Sequence, residues 1–299
     1  MELRVLKYFL TVAREENITR AAEILHISQP ALSRQLIQLE EELGVQLFQR
    51  GRHSTSLTDE GMLLRRRAQE IVDLAEKTEN EFRSGTEELS GLISIGSGEA
   101  STMRTLAELM RDFNERYPDV RFDLYSNNGD YIKERLERGT LDLGVLLGPT
   151  EISRYESLPL PGKERWGAIV PAKCPLAQKD FITPEDLVGR KVFMPYRGIT
   201  QGVADWFGDC YRQMNVLVTY NLVYNAAMLV DCGIGAAVTI DGAVALYQNP
   251  NVVFRPFSPE LAFTSTLVWK RHQPMSRTVA GFIEFVRQNI PRISGQREP

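Results

Sequence analysis

The sequence contains little cysteine or histidine, and this shortage argues against a metal site. Its 299 residues include three of each. The cysteines (Cys174, Cys210 and Cys232) show no CxxC spacing, and their odd, sparse number suits a reducing cytoplasm. No histidine (His26, His53 or His272) stands at metal-ligand spacing from a cysteine or a carboxylate. We therefore expect no metal and no cofactor.

Long apolar segments are absent as well, which argues against a membrane protein. No apolar run approaches the roughly 20 residues that a membrane-spanning helix needs. Glu2 and the lack of a small-residue cleavage site argue against a secretory signal peptide. A hydrophobic content of 43% with 25% charged residues is typical of a globular protein. We expect a cytoplasmic protein with no membrane partner.

The chain also lacks a net positive charge and the common catalytic motifs. Its formal net charge is -4, and residues 1–90 hold 12 basic against 16 acidic residues, so any DNA contact must rest on locally placed cations. No GxSxG elbow occurs. The segment GSGEAS at 96–101 lacks the GxGxxG pattern and a following lysine. We expect that the protein is not an enzyme.

The most informative segment present is residues 18–50, which predicts two short helices joined by a tight turn. Thr19 stands where a helix N-cap is expected, just before an apolar-periodic run. His26 and Ile27 make the turn, Ser28 caps the next helix, and Pro30 falls in its first turn.

The second of these helices has the pattern of a DNA-recognition helix. Its leucines within 32–39 recur at spacings of four and three and form one buried stripe. Gln29, Ser33 and Arg34 share another face, where amide, hydroxyl and guanidinium groups read base edges and phosphates. Arg50 and Arg52 then flank Gly51, a pattern expected of a wing that reaches phosphate or the minor groove. The alternative is an ordinary surface helix on a helical bundle.

These residues resemble a known family. The run LKYFLTVAREENITRAAEILHISQPALSRQLIQLEEELGVQLFQR, with the LTDEG after it, resembles the LysR-type transcriptional regulators. The match follows the whole chain in order and length and is most specific in the first sixty residues. It implies a winged helix-turn-helix, a long linker helix and a two-lobed effector domain. It also implies a homotetramer that binds an interrupted palindrome in double-stranded DNA near a promoter, with RNA polymerase as a further partner. Carried over position by position, the DNA-facing residues are Gln29, Pro30, Ser33 and Arg34 in the helix and Arg50 and Arg52 in the wing.

A long helix is predicted from Thr58, its N-cap, with acidic residues in its first turn. Apolar positions follow at heptad gaps of 4, 3, 4, 3 and 4, which predict a dimer seam. The seam residues are Leu64, Ala68, Ile71, Ala75, Thr78 and Phe82. The alternative is a single helix packed on its own domain. The segment at 84–91, rich in Ser, Gly and Thr, marks a boundary. We therefore predict a DNA-binding domain at 1–58, a linker helix at 59–90 and an effector domain at 91–299.

Strand and helix patterns alternate through the rest of the chain, which predicts an α/β fold with parallel sheets. The order gives two lobes with crossings at about 160 and 266, that is, lobe I at 91–160 and 266–299 and lobe II at 161–265. This is a periplasmic-binding-protein-like architecture, and ligands bind such folds between the lobes at the carboxyl ends of the strands. The alternative of a transporter's solute-binding protein is disfavoured by the helix-turn-helix and the missing signal peptide.

Loops after the predicted strands supply the candidate effector residues. They are Ala100, Ser101, Thr102, Asn127, Asn128, Gly129, Pro195, Tyr196, Arg197, Thr200, Asn225 and Thr239. By resemblance, Ser101, Asn128 and the stretch 195–200 match the family's effector loops.

A small anionic effector is expected in this pocket. The helix beginning near 101 favours anions at its N-terminus, and Arg197 would pair with a carboxylate, supported by the hydroxyls of Ser101 and Thr200. The alternative is that Arg197 is a solvated loop residue. Thr239 stands where many family members carry proline, and Cys174 where many carry histidine, which leaves the local geometry open.

A redox sensor of the same family is the alternative regulator. A reactive thiol needs exposure and a partner thiol. Cys174 precedes Pro175 in a loop and is expected to be exposed, whereas Cys232 lies at the end of an apolar helix and is expected to be packed.

Overall fold

The computed structural model describes residues 1–50, 55–83, 89–196, 201–245, 247 and 249–295. It forms two compact units, Met1–Arg83 and Ser84–Pro299. Within the described residues, no helix is both long and apolar enough to cross a membrane. The finer division at residues 58 and 90 stays a prediction.

The N-terminal unit has the helices and the hairpin of a winged helix-turn-helix. Its elements are α1 (Leu3–Glu15), α2 (Ile18–Ile24), α3 (Gln29–Leu43), β1 (Phe48–Arg50), β2 (Thr55–Leu57) and α4 (Asp59–Arg83). The two strands pair antiparallel, with Phe48 opposite Leu57. The helix pair α2–α3, with His26 at a positive φ of 55° between them, is the predicted helix-turn-helix.

One apolar core holds this unit together. The leucine stripe of α3 is buried as predicted (Leu32, Leu36 and Leu39), and it packs with Phe9 of α1. The ring of Phe9 lies 5.3 Å from that of Phe48, which fixes the hairpin to α1. Each large apolar side chain buried in this way contributes roughly 1.5–3 kcal/mol.

The helix starts confirm two predicted caps and correct a third. Ser28 occupies the N-cap position of α3, although its side chain makes no capping bond, and Pro30 lies in the first turn. Thr58 caps α4, since its Oγ1 accepts a bond from the Gly61 N–H at 2.9 Å. Thr19, however, is not a cap. Helix α2 begins one residue before it, and Asn17 Oδ1 accepts the bond from the Arg20 N–H at 3.0 Å.

The first part of lobe I alternates strands and helices. Its elements are β3 (Gly91–Ser97), α5 (Thr102–Arg116), β4 (Val120–Ser126), α6 (Gly129–Glu137), β5 (Leu143–Leu147) and β6 (Tyr155–Pro159). The chain then crosses at 160–163 into lobe II, close to the predicted position.

Lobe II contains a six-stranded sheet with helices on both faces. Its elements are β7 (Glu164–Pro171), a 3-10 turn (Pro175–Gln178), α7 (Pro184–Leu187), β8 (Lys191–Pro195), α8 (Gln201–Phe207), a second 3-10 turn (Gly208–Gln213), β9 (Asn215–Tyr220), α9 (Val223–Asp231), β10 (Ala236–Ile240), α10 (Asp241–Val244), β11 (Val252–Pro256) and β12 (Ala262–Phe263). The strand order is β11-β7-β10-β8-β9, with β12 beside β7.

The chain returns to lobe I at residue 264 through β13 (Ser265–Lys270) and ends in α11 (Arg277–Gly295). The lobe I sheet has the order β4-β3-β5-β13-β6. The predicted parallel sheets are correct only in part, because β7 and β13 pair antiparallel with their neighbours. Each of these two strands arrives directly from the other lobe, without the crossover helix that a parallel connection needs.

Candidate functional site

The exposed side of α3 carries the groups predicted to read DNA. Gln29, Pro30 and Arg34 are exposed and Ser33 is half-buried. Gln29 Nε2 donates to Ser33 Oγ at 2.9 Å, and Arg34 Nε donates to the Pro30 carbonyl at 3.3 Å. Both bonds join residues one helical turn apart. They therefore align an amide, a hydroxyl and a guanidinium along one strip of the helix.

A carboxylate further along α3 supports the hairpin instead of facing outward. Glu40 Oε1 accepts bonds from the backbone N–H groups of Leu47 (2.7 Å) and Phe48 (3.1 Å). Charge-assisted bonds to backbone N–H groups are among the stronger hydrogen bonds in proteins. The start of β1 is thereby fixed to the recognition helix, and this acidic residue has a structural role.

Neither side chain of the two predicted wing cations lies within the described part of the chain. Arg50 is the last residue of β1, and its backbone pairs with Thr55. Its side chain, together with Arg52 and His53, lies outside the described residues. Contacts from these cations to DNA stay a prediction.

Helix α4 has two apolar sides, and the predicted seam mixes them. Ala68 is fully buried beside Val72 in the core of its own unit, and Leu64 packs against the same core. Ala68 therefore packs on its own unit and not on a partner, which corrects the prediction there, whereas the seam role of the half-buried Leu64 stays a prediction. Ala75 is half-buried, Thr78 is exposed, and the Phe82 side chain lies outside the described residues.

The other side of α4 presents large apolar side chains to solvent. Leu63, Ile71 and Leu74 are 54%, 42% and 45% exposed. Together with Thr78 they form a stripe, here called the outer stripe, whose members lie within about 80° around the helix at 100° per residue. Of the predicted seam residues, Ile71 and Thr78 belong to it.

In the C-terminal unit a cavity of about 190 Å³ opens between the two lobes. It lies where the strands of both sheets end, as α/β folds of this kind lead one to expect. Six predicted effector residues line it: Ala100, Asn127, Asn128, Gly129, Pro195 and Thr239.

The remaining predicted effector residues are placed elsewhere or are not described. Tyr196 is 44% exposed, and its carbonyl accepts a bond from Asn128 Nδ2 at 3.3 Å. Asn225 is exposed on α9, as the third residue of a helix that begins at Val223. Neither residue lines the cavity. Arg197 and Thr200 lie outside the described residues, so their roles stay predictions.

Ser101 and Thr102 turn away from the cavity toward a carboxylate of the protein itself. Glu164, the first residue of β7, is completely buried. Its Oε1 accepts bonds from Ser101 Oγ (2.6 Å), the Thr102 N–H (3.0 Å) and Thr102 Oγ1 (2.9 Å). The N-terminus of α5, predicted to hold an effector anion, is therefore occupied by an internal anion from the other lobe.

A second carboxylate crosses between the lobes in the opposite direction. Glu99 lines the cavity from lobe I, and its Oε2 accepts a bond from the N–H of Val223, the first residue of α9, at 2.6 Å. Burial raises the pKa of Glu99, and the bond from Val223 lowers it in part. Both lobes thus direct a helix N-terminus at a carboxylate of the other.

The charged groups that line the described part of the cavity are few. Lys133, on α6, lies 3.3 Å from the Asp130 carboxylate and donates to Thr150 Oγ1 at 3.3 Å. Glu99 is the remaining charged residue of the described lining. Within the described residues no group of three potential metal ligands occurs.

All three cysteines are free thiols, but their exposures differ from the prediction. Cys232 is exposed because it lies at the C-cap of α9, where the helix ends. Cys174 is half-buried against the lobe II core, at the start of a 3-10 turn.

Together, a winged helix-turn-helix unit and a two-lobed unit with an interlobe cavity define a ligand-responsive DNA-binding regulator. Residues 3–62 match the family model of the bacterial regulatory helix-turn-helix protein, lysR family, and residues 86–291 match that of the LysR substrate binding domain. The chain belongs to the LysR family. It is a DNA-binding transcriptional regulator with an effector-binding domain.

Similar proteins align along nearly the whole chain. The Hca operon transcriptional activator HcaR of Escherichia coli (strain K12) is 30% identical, covering 98% of this chain and 100% of that protein. The transcriptional activator protein LysR of the same strain is 28% identical, with 98% and 94% covered. Among solved structures, CbnR superimposes with a TM-score of 0.74 at 23% identity (97% and 99% covered), and full-length BenM with 0.55 at 26% (99% and 97%).

Proposed function

We propose that this regulator binds an interrupted palindrome near a promoter as a homo-oligomer and responds to a small anionic effector in the interlobe cavity. The observation that carries the DNA-binding part is the exposed strip of Gln29, Ser33 and Arg34 on the second helix of a helix-turn-helix. A CbnR structure with its target DNA has a similar fold, with a TM-score of 0.73. We place the protein in the cytoplasm, assign it no catalytic role, and expect RNA polymerase as a further partner.

The strip is tested by replacing its cation. DNA fragments selected by the protein from a random pool supply the specific site. Arg34→Ala should weaken binding to that site by about 1–3 kcal/mol if the guanidinium reads a base. An equal loss on random DNA would make Arg34 a phosphate contact, and an unchanged affinity on both would remove it from the interface. Arg111→Ala, which removes an exposed cation of the C-terminal unit, is the matched control.

We assign dimerisation to the outer stripe of α4. An apolar stripe on a long helix is what a helical pairing surface requires, and two paired units would match the two-fold symmetry of a palindrome. Leu74→Glu should split the dimer by placing charges in an apolar interface. Sedimentation that shows an intact dimer would reject this surface. Gln69→Glu, which adds the same charge at an exposed polar position, is the control. Tetramer formation rests on the family resemblance.

An anionic effector is supported by Lys133, the cation that lines the described part of the cavity, although its ammonium lies 3.3 Å from the Asp130 carboxylate. The experiment is thermal melting of the full chain against a panel of small carboxylates, amino acids, sugars and aromatic acids. A concentration-dependent rise in melting temperature identifies a ligand of the folded state. Lys133→Met should abolish the rise for acids, and Arg197→Ala tests the predicted second cation. If only uncharged compounds raise the melting temperature, the anionic class is wrong.

Bound effector would act by a population shift between lobe arrangements, which would change how the DNA-binding units are spaced and how far the DNA bends. The redox alternative makes a different prediction, because a sensor would respond to oxidant and lose the response when Cys232 or Cys174 is replaced by serine.

A further inference from the structure

Glu99 brings to the interlobe cavity a negative charge that no cation of the described chain offsets. It lies in the loop between β3 and α5, is half-buried and lines the cavity. Burial raises the pKa of its carboxyl group, and only the backbone N–H of Val223 acts against this shift. The other carboxylate of the described lining, Asp130, lies 3.3 Å from the Lys133 ammonium. The two carboxylates of the described lining therefore differ, because Asp130 has a cation as partner and Glu99 has none within the described residues.

The two oxygens of the Glu99 carboxylate also differ. Oε2 accepts a bond from the Val223 N–H of the other lobe at 2.6 Å. No hydrogen bond from the described residues reaches Oε1, and this atom is not one of the buried polar atoms that lack a partner. Oε1 therefore keeps accessible surface in a residue that lines the cavity. An ionised carboxylate only accepts hydrogen bonds, so this oxygen offers a ligand a negatively charged acceptor.

The two amide side chains of the lining beside Glu99 are engaged within the protein. Asn127 Nδ2 donates to the Tyr125 hydroxyl at 2.9 Å, and Asn127 Oδ1 accepts from the Asn128 N–H at 2.9 Å. The Asn128 side chain caps α6 and donates to the Tyr196 carbonyl at 3.3 Å. These amides are held in place by the protein itself, whereas Oε1 of Glu99 has its full capacity for a donor.

The charges of the described lining define what such a donor should be. The lining holds two carboxylates, Glu99 and Asp130, and one ammonium, that of Lys133, which leaves one negative charge in excess. A ligand with an anionic group alone would leave the charge of Glu99 without a partner. A positively charged group beside Glu99 would offset the desolvation of its carboxylate. This attraction is stronger in a partly buried site than in water.

We propose that Glu99 forms a subsite for a protonated amine of the effector. The inference rests on the proposed role of the cavity as the effector site, and it adds a cation to the anionic group assigned to Lys133. An effector that used both residues would be a small zwitterion. Its hydrocarbon frame would contact the apolar part of the lining, which includes Val145, Leu147 and Ile240.

The test is calorimetric titration of the full chain at constant ionic strength and at about pH 8, where alkylamines are protonated and carboxylates are ionised. Cyclohexylamine and cyclohexanol are the probes, since they share a ring and differ in charge. Glu99→Gln removes the negative charge but keeps an oxygen for the Val223 N–H. Asp130→Asn is the matched control, because it removes the carboxylate of the lining that already has a cation as partner.

Cyclohexylamine should bind at least about fivefold more tightly than cyclohexanol, as expected for a charge-assisted hydrogen bond. Glu99→Gln should remove this advantage and change the affinity for cyclohexanol much less. Asp130→Asn should keep most of the advantage. The proposal is overturned if cyclohexylamine does not bind or binds no better than cyclohexanol. It is also overturned if the advantage survives in Glu99→Gln or is lost equally in Asp130→Asn.

Repeating the titration in Lys133→Met distinguishes this subsite from the anionic effector site. An amine advantage that persists in Lys133→Met supports the role of Glu99 even if no acid raises the melting temperature of the protein. Acids that bind while the amine has no advantage would keep the site at Lys133 and reject the one at Glu99.

Discussion

The two carboxylates that cross between the lobes use the same chemistry to different ends. Glu164 reaches from β7 to the N-terminus of α5, and Glu99 reaches from lobe I to the N-terminus of α9. Glu164 is completely buried and its Oε1 accepts three bonds. Glu99 is half-buried, accepts one backbone bond, and has a raised pKa.

The difference shows how the number of donors decides what a buried carboxylate does. Each hydrogen bond to a charged group contributes about 1.5–3 kcal/mol, and a helix N-terminus adds to this. With three donors, Glu164 forms a strong contact between the lobes. This contact of Glu164 with Ser101 and Thr102 is here called the joint. With one backbone donor, desolvation prevails at Glu99 and raises the pKa of its carboxyl group, so this contact contributes less to stability.

The largest effect is expected when Glu164 is removed. Glu164→Ala leaves three donors at the start of α5 without their acceptor and opens a cavity, so the free energy of unfolding should fall by roughly 3–4 kcal/mol. Glu164→Gln keeps an acceptor oxygen and should lose about half as much. Denaturant unfolding of the full chain measures both. A change below about 0.5 kcal/mol in Glu164→Ala would mean that the contact of Glu164 with α5 does not stabilise the protein.

Adding a methyl group beside the Glu164 contact should destabilise the protein somewhat less than removing Glu164. A Cβ at Gly242 would clash with Glu164 Oε2 and with the backbone N of Ser101, so part of this contact would have to shift. Gly242→Ala should therefore destabilise the protein by about 2–3 kcal/mol. Gly98→Ala is the matched control beside Glu99, because its Cβ would lie 3.7 Å from the nearest neighbour, the Asn127 carbonyl. Similar losses of unfolding free energy in Gly242→Ala and Gly98→Ala would contradict the conclusion that the Glu164 contact is tight and the Glu99 contact is loose.

Removing one donor of the joint gives a smaller effect. Thr102→Val keeps the shape and the backbone N–H but deletes the Oγ1 bond to Glu164. The free energy of unfolding should fall by about 1–2 kcal/mol in chemical denaturation. The loss should nearly vanish in the Glu164→Ala background, because the acceptor of the deleted bond is already absent there. Full additivity would show that Thr102 acts on stability by another route.

The smallest effect is expected at Glu99, and it should depend on pH. A carboxyl group whose pKa is raised in the folded state contributes stability below its ordinary value of 4.5. That contribution is lost as pH rises through the raised pKa. Relative to Glu99→Gln, the wild-type protein should therefore lose stability as pH increases from 4.5 toward neutrality. Melting curves of both proteins across this range test it, and a constant difference would show that Glu99 does not titrate there.

Elements with strong local signals were predictable from the sequence. The segments VRFDLYS and ERWGAIVP, which carry strand patterns in the sequence, form β4 and β7. By contrast β6 and β11, which lie at the sheet edges, carry no clear strand signal in the sequence. Their residues are largely exposed or half-buried, so they show neither a clear alternation nor a fully buried run.

The site was less predictable because it depends on distant contacts. Heptad spacing on α4 fits packing on its own unit as well as on a partner, and Ala68 is buried in the core that α4 shares with the rest of its unit, including α1. Six cavity-lining residues followed from the rule that loops after strands carry ligands. Glu164 did not, since its partner Thr102 lies 62 residues earlier. Glu164 opens a strand that is apolar from Trp166 onward, and a carboxylate next to such a run indicates that it needs a partner.

The bonds from Leu47 and Phe48 to Glu40 have a consequence for how DNA is selected. They prevent the hairpin from sliding along the recognition helix, so the distance between the helix and the hairpin is fixed. If both parts contact one duplex, a mismatch in groove width must be absorbed by the DNA and not by the protein. Stiff and pliable base steps then differ in energy even where no side chain touches them. Operator preference would extend to base pairs that lie between the contacts.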